Sequence, residues 1–108
     1  MRIAELVNAI NGRVVCGEEM LQGEVEFAFA SDLMSDVLTI QNDGMMLLTG
    51  LANVQAVRTA EMSDISCVVF VRNNRATPEM IALARENDTI LVECSYSMFK
   101  ASGILFQN

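Results

Sequence analysis

Apolar positions along the chain follow two periods, and the switches between them mark out the elements. Ile3, Leu6, Val7 and Ile10 recur at i, i+3, i+4 and i+7, one face of a helix. Asn11-Gly12 ends that helix, since Gly readily takes the left-handed cap conformation. Arg13 to Cys16 then reads as a short strand, and 17–23 as a turn region. Across Glu24-Val-Glu-Phe-Ala-Phe-Ala30 the period drops to two. Val25, Phe27 and Phe29 are predicted to point one way, Glu24 and Glu26 the other. The chain runs straight on into Ser31-Asp-Leu-Met-Ser-Asp-Val-Leu38. There Leu33, Met34, Val37 and Leu38 form a helical face that Ser31 or Asp32 can cap.

Three more strand-like runs occupy 45–48, 67–71 and 89–92, with starts 22 residues apart. That spacing fits a short strand, a helix and two brief connections. The first helix carries Val54, Val57 and Ala60; the second opens with Thr77 as cap, Pro78 at the first helical position and Glu79 at the positive end of the dipole. The third is predicted to start near Ser95 and to carry Met98, Phe99, Ile104 and Leu105. The order αββα-βα-βα-βα predicts a single α/β domain over 1–108. Its mainly parallel central sheet would have about five strands, with right-handed crossovers and helices on both faces. The continuous apolar runs at 45–48 and 67–71 fit strands covered on both sides.

Composition narrows the chemistry. Of 108 residues, 52% are apolar and only one is Pro, which suits a packed core and excludes disorder. Seven cations against 14 acids give a formal charge of −7 with the cations scattered along the chain, so a phosphate-tracking nucleic-acid surface is not expected. No apolar stretch approaches the roughly 20 residues of a membrane helix, and the start, broken by Glu5 and Asn8, does not read as a signal peptide. There is no His, which removes Ser-His-Asp triads, Cys-His pairs and His-ligated metals. Cys16, Cys67 and Cys94 are far apart and odd in number, so they are expected to be buried and reduced, as in the cytoplasm. The eight Met residues form no M-x-x-M cluster and are expected mostly as core filler.

In an open parallel sheet, ligands bind beyond the carboxyl ends of the strands. Those ends carry Ser31, Asp32, Ser35, Asp36, Thr49, Gly50, Asn53 and Arg72, followed by Asn73-Asn74-Arg75, and Glu93-Cys94-Ser95 after the last strand. Backbone N–H groups there, with Thr49 and Arg72, suit an anion. Asp32 and Asp36, at i and i+4, could accept hydrogen bonds or approach a hydrated Mg²⁺. The same residue types are also ordinary caps and turns. No phosphate-loop or dinucleotide fingerprint is present, and no nucleophile has an evident base partner.

Ala30-Ser-Asp-Leu-Met-Ser-Asp-Val-Leu38, then Leu47-Leu-Thr-Gly-Leu51, Val57-Arg-Thr-Ala-Glu61 and Val68-Val-Phe-Val-Arg72 resemble the DRTGG domain, in particular its small stand-alone members. The resemblance spans the chain from the first helix to Ser97-Met-Phe99. It implies a compact α/β fold similar to the N-terminal domain of HPr kinase/phosphorylase. The family also occurs beside CBS domains in regulated pyrophosphatases and in some phosphotransacetylases, as a regulatory or dimer-forming unit. The literal Asp-Arg-Thr-Gly-Gly string is absent; its nearest pieces are Thr49-Gly50 and Asp32. The expectation is a non-catalytic, cytoplasmic regulatory domain without cofactor, a homodimer that senses a small anionic or nucleotide-like ligand at the strand ends. Two alternatives stand beside it: an adaptor docking a redox or metabolic partner protein, and a small enzyme using Asp32 and Asp36, with or without Mg²⁺, on a phosphorylated metabolite.

Overall fold

The alternation of apolar runs and helical patterns resolves into one five-stranded sheet in the computed structural model, which describes residues 1–40 and 44–107. The elements are α1 (Ile3–Ala9), β1 (Arg13–Cys16), a single 3₁₀ turn (Glu18–Met20), β2 (Phe27–Ala30), α2 (Met34–Val37), β3 (Met45–Thr49), α3 (Val54–Met62), β4 (Cys67–Phe70), α4 (Pro78–Glu86), β5 (Ile90–Glu93) and α5 (Met98–Gln107). The strand order is β1-β5-β4-β3-β2. β2 through β5 are parallel, and β1 alone runs antiparallel, against β5. The predicted element order and mainly parallel sheet are therefore those observed.

Side-chain alternation along the central strands divides the core in two. Met46, Leu48, Cys67, Val69, Ile90 and Val92 face α1 and α5 and meet Ile3, Leu6, Val7, Ala101 and Leu105. Met45, Leu47, Val68, Phe70 and Leu91 face α2, α3 and α4 and meet Val37, Ala56, Val57, Ala60, Met80 and Ala84. Every residue of β3, β4 and β5 is buried. Sheets covered on both sides select such continuous apolar strands. Thr77 caps α4 as predicted, its Oγ1 accepting the Met80 N–H at 3.3 Å. All three cysteines are buried thiols, and burial pushes Cys67 up to about 12, so it packs as a small hydrophobe.

Several local expectations are corrected. The α1 stop uses Asn11, at φ 54, as its left-handed residue. Gly12 is needed instead for space, because a Cβ there would meet Val92 Cγ1 at 2.7 Å. The alternation over 24–30 does not hold. The N–H groups of Glu26 and Phe27 both donate to the Gly44 carbonyl, at 2.8 and 3.3 Å. This bulge-like slip flips the side-chain parity. Val25 consequently packs with the α1–α5 core and Phe29 with the opposite one, while Phe27 is left 48% exposed. The helix expected over 31–38 shrinks to Met34–Val37 and buries Met34 and Val37, leaving Leu33 and Leu38 exposed. α5 begins at Met98, with Ser97 Oγ accepting the Lys100 N–H, and buries Ala101 and Leu105. Phe99 therefore points outward, as does Met62 at the end of α3, which is no core filler.

Candidate functional site

Parallel pairing of β2, β3 and β4 brings their carboxyl ends to one rim. Asp32 leaves β2 two residues past its end and reaches sideways across β3. Its Oδ1 accepts the Gly50 N–H at 2.5 Å and the Thr49 hydroxyl at 3.2 Å. Its Oδ2 accepts from Arg72 Nη2 at 3.0 Å. Asp32 therefore does not cap α2. That N-cap is Leu33, which makes no side-chain capping bond, and Ser31 Oγ accepts the Leu33 N–H at 3.0 Å in a local turn. Thr49 is fully buried and also accepts the Leu51 N–H, at 3.1 Å, so its hydroxyl is fixed from both sides.

Arg72 is placed by a costly backbone. Both Arg72 (φ 59) and Asn73 (φ 61) are left-handed, a conformation that costs about 1 kcal/mol or more per non-Gly residue. Backbone bonds to β5's end hold the turn: Arg72 N–H to the Tyr96 carbonyl at 2.8 Å and Asn73 N–H to the Cys94 carbonyl at 3.0 Å. The Asn74 side-chain amide closes it on the Val71 carbonyl at 2.8 Å. The result lays the guanidinium directly over Gly50, where any Cβ would collide with it. Gly50 thus leaves room for the Arg72 guanidinium, which a Cβ there would push aside. It is not among the residues with positive φ.

The Asp32 carboxyl is held below the usual carboxylate range. The Gly50 N–H contributes most, against a smaller opposing effect of burial, and Arg72 and Thr49 add to it. The pair is open to solvent, with Arg72 and Asp32 side chains 50% and 46% exposed.

A second carboxylate sits farther along the same rim. Glu93, the last residue of β5, takes Arg13 Nη2 at 2.5 Å and the Ala76 N–H at 2.8 Å, with Arg75 Nη1 at 3.8 Å. Its side chain is 10% exposed. Burial pushes its carboxyl up, but Arg13, the Ala76 N–H and Arg75 outweigh that and leave it below the usual range. Lys100 completes the set, with Nζ 3.9 Å from the centre of the Tyr96 ring, whose residue anchors Arg72.

Of the eight residues read from the sequence, the structure joins Asp32, Thr49, Gly50 and Arg72 by direct hydrogen bonds. Asn53 is instead the N-cap of α3, its Oδ1 accepting the Ala56 N–H at 3.0 Å. Ser31 makes the turn described above. Ser35 and Asp36 lie exposed on α2. Asp32 precedes α2, so it and Asp36 do not share a face of that helix. Arg75 and Glu93 are among the strand-end residues that the sequence offers, whereas Arg13 and Lys100 give no such signal. Positions 13, 72, 75 and 100 look scattered, yet the strand order β1-β5-β4 and the β5–α5 turn collect four of the seven cations at one rim. Among the described residues, no group of three His, Cys, Asp or Glu side chains could hold a metal ion, and no helix is long and apolar enough to cross a membrane.

No family model matches the sequence, and no curated protein does. Its structure does have a solved counterpart: the CBS and DRTGG domains of the regulatory region of Clostridium perfringens pyrophosphatase, complexed with its activator diadenosine tetraphosphate. The TM-score is 0.77, with 14% identity over 98% of this chain. The two share a fold. The chain spans 46% of the matched one, so the likeness concerns part of that regulatory region. The DRTGG resemblance carried by the segments around Asp32 and Thr49-Gly50 thus holds at the level of architecture.

Proposed function

We propose that this domain is a non-catalytic regulatory unit that senses a small phosphorylated ligand, nucleotide-like in character, at the rim formed by Asp32, Thr49, Gly50 and Arg72. One observation carries the reading: an internal carboxylate already occupies an anion's place there. Asp32 takes a backbone N–H, a hydroxyl and a guanidinium together. Those are the donors that hold phosphate oxygens in proteins. Arg72 and Lys100, with Arg13 and Arg75 held on Glu93 farther along, give this rim four cations against the carboxylates of Asp32 and Glu93, in a chain of charge −7. An incoming phosphate displaces the Asp32 carboxylate, which swings out into solvent, and inherits Gly50 N–H and Arg72. Exposure of the pair makes that exchange inexpensive. The matched regulatory region binds diadenosine tetraphosphate, which sets the first ligand class to try.

Calorimetric titration of diadenosine tetraphosphate, ATP and inorganic diphosphate tests the proposal. Arg72→Ala should weaken binding at least about tenfold, the cost of one charge-assisted contact. Asp32→Ala should strengthen it by a similar factor, because the competing carboxylate is gone. Binding by none of the three probes, or binding indifferent to Arg72, contradicts it.

Homodimer formation is part of the same proposal. It is supported by the exposed apolar side chains of Leu33, Leu38 and Met62, which lie on the α2–α3 side of the sheet. A monomer by sedimentation at about 100 times the ligand-binding concentration would remove that part.

A further inference from the structure

Strand register sets two carboxylates at the ends of one row. Thr49, Phe70 and Glu93 are paired across β3, β4 and β5. Alternation along the strands puts all three on the face covered by α3 and α4. Thr49 donates to the Asp32 carboxylate, and Glu93 brings its own about 10 Å away, at two inter-strand spacings. α3 and α4, with Asn53 and Thr77 as their caps, both begin at this end of the sheet, so the positive ends of two helices flank the row.

The chain leaving β4 crosses the end of β5 and is pinned there by the Asn73 N–H on the Cys94 carbonyl and the Ala76 N–H on Glu93 Oε2. Its two arginines part company. Arg72 reaches back over β3 to Asp32, and Arg75 reaches to Glu93. At Glu93 two guanidinium groups meet one carboxylate oxygen, Oε1. Arg13 takes it as a hydrogen bond. Arg75 Nη1 stops at 3.8 Å, beyond hydrogen-bonding distance, with its side chain 68% exposed. Two positive charges against one leave this end of the row short of an anion, and the loosely held Arg75 has its donors turned to solvent.

We propose that the rim takes a linear chain of phosphates, held at two poles, and that Arg75 is the residue that reads the chain's length. One phosphate takes the Gly50 N–H and Arg72 in place of Asp32. A later phosphate of the same chain takes the free donors of Arg75, with Arg13 beside it. Glu93 stays where it is, because it is nearly enclosed and also holds the Ala76 N–H. A diphosphate seated at Gly50 ends short of Arg75, whereas four phosphates in line cover the span between the poles. This inference rests on the phosphate-binding reading of the rim given above and adds to it the second pole and the ligand class that needs one.

Calorimetric titration of the whole chain with inorganic diphosphate and with linear tetrapolyphosphate, at one fixed ionic strength, tests it. Tetrapolyphosphate should bind at least about tenfold more tightly than diphosphate, the worth of one further charge-assisted contact. Arg75→Ala should bring that ratio below about threefold. Arg72→Ala should weaken both probes. Arg85→Ala removes the same charge from the last turn of α4, away from the rim, and should leave the ratio as it was. Equal affinities for the two probes, a ratio that survives Arg75→Ala, or one that Arg85→Ala lowers equally, overturns the second pole. The rim reading itself then still stands if Arg72→Ala weakens both probes. Binding of neither probe overturns the rim reading and this inference with it.

Discussion

Asp32 and Glu93 stand at the ends of β2 and β5 on one rim, and each binds a backbone N–H and an arginine. They differ in burial. Glu93 is nearly enclosed and is shared by Arg13 and Arg75 from two different segments, so it ties β1 and the β4–α4 loop to β5. Asp32 is about half exposed and its arginine is its own. The same chemistry therefore serves two ends. Enclosed, the carboxylate is a structural clasp that water cannot replace. Exposed, it is in the proposed function the removable occupant of donors that a ligand's anion takes over. Burial decides which, because it sets the cost of leaving those donors empty.

The comparison can be broken most directly at Glu93. Glu93→Ala strands the Ala76 N–H and leaves two guanidinium groups without their anion. It should lower unfolding stability by about 2 kcal/mol in urea, below the roughly 3–5 kcal/mol for breaking a fully buried pair, because Arg13 and Arg75 themselves reach solvent. Asn53→Ala, which removes the α3 cap, should cost about 1 kcal/mol. Asp32→Ala should cost about 0.5 kcal/mol, as an exposed pair does. If Asp32→Ala cost as much as Glu93→Ala, both carboxylates would be clasps. Ser35→Ala and Asp36→Asn should fall within about 0.5 kcal/mol of the parent and leave ligand binding unchanged.

Acid sharpens the same contrast. Both carboxyls are held below their unfolded values of about 4. Each therefore contributes stability that is complete above pH about 4 and lost as the pH falls through the depressed folded values. Melting temperature should drop on the acid side of that point. Glu93→Gln and Asp32→Asn should each flatten the drop.

The sheet was legible because β3, β4 and β5 are buried on both faces and show it as unbroken apolar runs, and because Thr77-Pro78 marks a helix start from local chemistry alone. The rim was legible in part. Asp32, Thr49, Gly50 and Arg72 each stand at or just past the end of a strand, and parallel pairing makes their convergence a matter of topology. What stayed hidden depended on contacts distant in sequence. The two N–H groups sharing Gly44 reversed Phe27, and no local pattern signals that. Asp32 resembled a cap because its competing donors, Gly50 and Arg72, lie 18 and 40 residues on. Arg13 and Lys100 become neighbours of the site only once the strand order is known. The α5 face was readable and misassigned: Met98, Ala101 and Leu105 keep helical spacing, and the larger Phe99 drew the reading away from it.

On the proposed function, Asp32 sits where a ligand's phosphate will sit. Titrating ¹⁵N-labelled protein with diadenosine tetraphosphate and following the Gly50 amide and the Arg72 guanidinium tests this at the atoms concerned. The expected result is saturable shifts at both, with the Asp32 carboxyl carbon moving toward its free, solvated position over the same titration. Saturation with the largest shifts elsewhere, and with the Asp32–Gly50 bond intact, would contradict it.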